Sequence, residues 1–79
     1  MMIHIKLLAN YREHLPPGEK SGGVKLDVPV GTTVRQAISR FPIPIDDTSV
    51  IVLNGLTVDL DTPLKTGDIV SAFSAIAGG

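Results

Sequence analysis

Thr32-Thr33-Val34-Arg35-Gln36-Ala37-Ile38-Ser39-Arg40-Phe41 is the one stretch of this chain whose apolar residues repeat with helical spacing. Val34, Ala37, Ile38 and Phe41 fall at i, i+3, i+4 and i+7, which gathers them on one stripe of a helix. Thr33, with Gln36 three residues on, forms a capping-box start that satisfies two otherwise orphaned amides. Pro42 disfavours helical geometry at Phe41 and ends the run. A helix this short is marginal alone, so its stripe must lie on a sheet.

The flanks supply the sheet. Ile3, Ile5 and Leu7 alternate with His4 and Lys6, and Val24-Lys25-Leu26-Asp27-Val28 alternates again, giving two strands that pair as a hairpin. Between them, residues 10–23 concentrate turn formers and charges and are expected to form a long mobile connection. Beyond the helix, Val50-Ile51-Val52-Leu53 and Leu56-Thr57-Val58-Asp59-Leu60 flank Asn54-Gly55, a dipeptide suited to a two-residue hairpin turn. Thr62–Asp68 is a turn-rich bend, and Ile69-Val70-Ser71-Ala72-Phe73 is the last strand. The expected fold is α+β: a mixed four- to five-stranded sheet with one helix packed across it.

Seventy-nine residues make one domain with a small core. There is no cysteine, which excludes disulfides and thiolate metal sites. The formal charge of −1 argues against a nucleic-acid or anionic-membrane surface. Residues 1–40 carry net +3 and residues 41–79 net −4, an imbalance that serves either as a solvated surface or as a steering field. No secretory signal or run of 18 apolar residues is present, so a cytoplasmic location is expected. His4 and His14 lack metal-ligand spacing and read as exposed side chains, and no metal site is expected. Asp46-Asp47 and the Asp59/Asp61 pair surround turns without a base or pocket and read as turn residues. No nucleophile–base pair, P-loop or dinucleotide fingerprint appears, so no catalytic residue is assigned.

The ends of the chain carry a family resemblance. Leu7-Leu8-Ala9-Asn10-Tyr11-Arg12-Glu13-His14-Leu15-Pro16 resembles the opening of the molybdopterin synthase small subunit. Val52-Leu53-Asn54-Gly55, Asp61-Thr62-Pro63-Leu64-Lys65-Thr66-Gly67-Asp68-Ile69-Val70 and the ending Ile76-Ala77-Gly78-Gly79 are similar to the second half of the MoaD/ThiS superfamily of sulfur carriers. The resemblance implies a ubiquitin-like β-grasp over residues 1–73 and a flexible Gly-Gly tail over 74–79. It also implies that an E1-like adenylyltransferase uses ATP to activate the Gly79 carboxylate, that sulfur replaces AMP there, and that the carrier itself binds no cofactor and is not an enzyme.

Ile76, Ala77 and Gly78 would then thread a narrow channel, for which glycine suits because it lacks Cβ. Phe73 and Ile69, on the face opposite Val70 and Ala72, would form an apolar anchor for partners, although Phe73 reads equally well as core. Arg12 matches the family's "L-R-E" arginine and either pairs with a partner acid or serves the surface of the loop.

Within the superfamily the opening and Asp61-Thr62-Pro63-Leu64 favour the molybdopterin branch, whose acceptor is the synthase large subunit. Phe73-Ser74-Ala75 departs from that branch's Phe-Pro-Pro, and the Ile-Ala-Gly-Gly ending also suits the thiamine thiazole carriers. A ubiquitin-like modifier forming isopeptides through Gly79, and a β-grasp binding module that never uses its terminus, stand as readings of other classes.

Overall fold

The structure is a computed structural model that describes residues 1–14, 23–43, 45–46 and 48–75, the side chains of 10, 13 and 14 excepted. In chain order these form β1 (Met2–Leu7), a 3-10 helix (Ala9–His14), β2 (Gly23–Asp27), α1 (Val34–Ile38), β3 (Ser49–Leu53), β4 (Leu56–Thr57) and β5 (Ile69–Ser74). The five strands make one mixed sheet in the order β2-β1-β5-β3-β4. β1 and β5 run parallel at its centre, and the other neighbours are antiparallel.

Strand alternation sets which face is dry. Ile3, Ile5 and Leu7 point to the same side as Val24, Ile51, Val70 and Ala72, and α1 adds Val34, Ala37 and Ile38 to that buried set. Phe41 is half-buried against it, so the helical stripe read from the sequence covers the core.

The helix is shorter than its stripe. Regular α geometry ends at Ile38; Ser39 caps it, its Oγ donating to the Gln36 carbonyl, and the Phe41 amide donates back to the Ile38 carbonyl at 3.1 Å, a tighter three-residue turn. The start is as expected, with the Thr33 and Gln36 side chains each bonding the other's backbone amide at 3.3 and 2.9 Å. Two further orphan donors, the amides of Val34 and Arg35, give hydrogen bonds to the carbonyls of Thr62 and Leu60. That requirement explains why β4 is only two residues long: after Val58 bonds Ile51, the chain turns at Asp59 and leaves the sheet to cap the helix.

Thr33→Ala should therefore lower stability by about 1 kcal/mol, read as a lower urea midpoint at unchanged slope. A loss of only a few tenths would mean that the carbonyls of Leu60 and Thr62 hold the helix start unaided.

The Asn54-Gly55 turn has positive φ at both positions, 50° and 90°, as a two-residue hairpin with matching twist requires. Asn54 does more. Its Nδ2 donates to Asp68 Oδ1 and its Oδ1 accepts from the Ile69 amide, both at 2.9 Å, while Asp68 Oδ2 accepts from the Lys65 amide at 2.7 Å. The hairpin tip is thus clamped to the start of β5, which gives the Asn-Gly and Gly-Asp motifs a structural purpose.

The largest departure from expectation is at residues 9–14. Residues 10–14, expected as part of the mobile connection, lie instead in a 3-10 helix that begins with Ala9 at φ 50° and buries Tyr11 to 2 % exposure. The connecting residues 15–22 lie outside the described residues.

Candidate functional site: the tail root and the open sheet face

β1 and β5 finish, and β3 begins, at the same end of the sheet, because β1 and β5 are parallel and β3 opposes them. The 3-10 helix packs against that end, where β5 stops at Ser74. β5 runs through Ser74, one residue beyond the expected strand. The Ala75 amide continues the ladder by donating to the Thr48 carbonyl at 2.6 Å. Thr48 ties this root down further: its hydroxyl lies 3.2 Å from Ser74 Oγ and donates to Asp46 Oδ1 at 2.5 Å.

Asp46 Oδ1 also accepts from the Thr48 amide at 2.8 Å. The Thr48 hydroxyl, and then its amide, hold the Asp46 carboxyl below the ordinary carboxylate range, so it remains ionised at neutral pH. Asp59 plays the same local part, Oδ1 accepting from the amide of Asp61 and the hydroxyl of Thr62. Both carboxylates close turns, as read from the sequence, but the expectation that they have no pocket does not hold, because both line a cleft beside Arg35.

The sheet face opposite α1 carries no packed layer among the described residues. Phe73 lies on it across from Val50, Ser71 across from Val52, and Ile69 beside His4. Phe73 is half-buried and outside the core cluster, which places it on the open face. Ile69 is 39 % exposed. The two share a face but sit four residues apart along β5, on the order of 13 Å. Only Phe73 adjoins the tail root. Arg12 is exposed on the 3-10 helix at that same end. Lys6 and Lys25 flank the apolar strip on β1 and β2, with Asp27 on the same face, so the face is apolar along β3 and β5 and charged beyond.

Ile76, Ala77, Gly78 and Gly79 lie outside the described residues. His4 sits half-exposed on the open face, and among the described residues no cluster of three metal-ligating side chains exists. No helix among them is long and apolar enough to cross a membrane. The anchoring of the root by Thr48 was not read from the sequence, although Asp46-x-Thr48 is a spacing at which a carboxylate closes a turn on the backbone.

Solved structures of the same fold lie close. SAMP1 from Haloferax volcanii matches with a TM-score of 0.78 and 22 % identity, covering 100 % of both chains. A putative molybdopterin converting factor subunit 1 from Pyrococcus furiosus matches at 0.72 and 24 %, covering 95 % of this chain and 98 % of that one. The complex of subunits 1 and 2 of molybdopterin-converting factor from Helicobacter pylori matches at 0.64 and 20 %, covering 100 % of both chains. No curated protein matches this chain. The profile of the ThiS family aligns with residues 5–79. A ubiquitin-like β-grasp whose last strand ends beside an open apolar face, aligned with that family over residues 5–79, this chain is thus a member of the ThiS family of sulfur carriers.

Proposed function

We propose that this chain carries sulfur as a thiocarboxylate on Gly79 and delivers it to an enzyme of molybdopterin synthesis. The observation that supports this most is that the family alignment runs to Gly79, the residue whose carboxylate the chemistry needs. A free carboxylate is a poor electrophile. An E1-like adenylyltransferase would join it to the AMP portion of ATP with loss of pyrophosphate; a sulfur nucleophile then attacks the carbonyl carbon and AMP departs. The thiocarboxylate so formed is a soft nucleophile that a second enzyme can use in a closed pocket. The large subunit of molybdopterin synthase is the acceptor favoured by the opening sequence of the chain, and a thiazole synthase is the alternative.

In this reading the domain supplies binding and reach. Phe73, Val50 and Ile69 give the open face the apolar character of a docking surface, and Arg12 stands at the same end as the tail root. Phe73→Ser should raise the carrier concentration needed for half-maximal loading by about tenfold or more, since aromatic residues at interfaces often dominate affinity. Its circular dichroism spectrum should remain that of the parent, because Phe73 lies outside the core cluster. Unchanged loading would remove Phe73 from the interface.

The test of the function is intact mass spectrometry after incubation with ATP, a sulfur donor and the host's lysate. Replacement of one oxygen by sulfur is the expected change. A protein-modifier role is the second reading, favoured by the fold shared with SAMP1. It would appear instead as high-mass adducts that survive reducing denaturing gels.

A further inference from the structure

The short β4 leaves a gap in the molecule. Where the chain turns away at Asp59 to cap α1, a cleft of about 380 Å³ opens between the start of β3, residues 57–61 and Arg35. Its floor is apolar: Ile51 is buried, and Ile45, Val58 and Leu60 are half-buried against the core. Its rim is acidic, with Asp46, Asp59 and Asp61 all exposed.

One guanidinium already lies on this rim, since Arg35 Nε donates to Asp61 Oδ1 at 3.2 Å. Asp46 and Asp59 have no cationic partner among the described residues, and each uses only Oδ1 to close its own turn. An apolar floor beneath two uncompensated carboxylates fits an apolar side chain next to a cation. The cleft also adjoins the tail root, because Asp46 on the rim is bonded to Thr48, and Thr48 to Ser74 and Ala75.

We infer that this cleft receives an arginine-bearing apolar segment of the protein that handles the tail, a second grip placed around the sheet edge from the open face. The link to the tail rests on the sulfur-carrier reading; occupancy of the cleft does not. Charges at such a rim act mainly through steering and orientation, and their effect fades with salt.

The probe is a blocked peptide, acetyl-Arg-Leu-Arg-Leu-Arg-amide, titrated into the isotopically labelled full chain while amide resonances are followed. Shifts should concentrate at Ile51, Val58, Asp59 and Leu60, and the same peptide with Glu for Arg should leave them in place. The double variant Asp46→Asn, Asp59→Asn keeps a side-chain oxygen for each turn while removing the charge. It should weaken the peptide at least about fivefold at low salt and converge with the parent at high salt.

Shifts confined to the open face, or equal shifts from the Glu peptide, would overturn the assignment. So would the same shifts on adding magnesium alone, which would make the cleft a cation site, or on concentrating the protein without peptide, which would make a second copy its occupant. Peptide binding in a protein whose Gly79 never gains sulfur would leave the cleft standing and remove the carrier function. Sulfur loading with an indifferent cleft would do the reverse.

Discussion

Deletion of Gly79 is expected to abolish the oxygen-to-sulfur mass shift while moving the melting temperature by no more than about 1 °C. The separation follows from where the described core ends. The last strand ends at Ser74, the Ala75 amide bonds the Thr48 carbonyl, and among the described residues the core cluster contains nothing beyond Ala72. Shortening the chain by one residue withdraws the terminal carboxylate by roughly 3.5 Å. Misplacement of a reacting group by about 1 Å can already cost on the order of a hundredfold in rate, so this retreat should put activation below detection. Gly79→Ala keeps the carboxylate at the right distance and adds only a Cβ, which should slow loading through crowding in the channel rather than through lost reach. The order expected is therefore parent, then Gly79→Ala, then the deletion, with one melting curve for all three. Normal loading by the deletion would end the proposal that Gly79 carries the sulfur; unfolding of the deletion would mean that the tail belongs to the fold.

What could be read from the residues alone was whatever has a period or a stereochemical requirement. Ile3, Ile5 and Leu7 show their strand because a half-buried sheet demands alternation, and Asn54-Gly55 shows its turn because few other pairs accept positive φ twice. Thr33 and Gln36 mark the helix start through their own hydrogen bonds. Features that depend on distant partners stayed hidden. The length of β4 is set by what the amides of Val34 and Arg35 need, 28 and 25 residues in sequence from the carbonyls they bond. The cleft is a consequence of that departure, so its rim of Asp46, Asp59 and Asp61 looked like unrelated turn residues. The open face was half legible: alternation placed Phe73 and Ile69 opposite Val70 and Ala72, but only the topology, with β5 central and parallel to β1, sets His4 and Lys6 beside them.

Tyr11 is the residue whose importance the sequence concealed most, and it carries the second large prediction. A lone aromatic among Asn10, Arg12 and Glu13 has no periodic neighbours, and a 3-10 turn is too short to create any. In the fold it is nearly fully buried, and its hydroxyl lies 2.7 Å from Ser49 Oγ at the start of β3. Tyr11→Ala removes the whole ring, and large-to-small changes of this kind cost about 3–5 kcal/mol. For a domain of this size that is a fall in melting temperature on the order of 20 °C. Tyr11→Phe isolates the hydroxyl and should cost only about 1 kcal/mol, because Ser49 Oγ still accepts the Asp46 amide and is not stranded. The functional consequence is graded in the same way. Ser49 follows Thr48, which holds Ala75, so loss of the ring should loosen the seat from which the tail departs as well as the core. Sulfur loading by Tyr11→Ala, measured below its melting transition, should fall further than the folded fraction does, whereas Tyr11→Phe should load like the parent. Loading by Tyr11→Ala that simply tracks the folded fraction would show that Thr48 and Ser74 hold the tail root without help from the 3-10 turn.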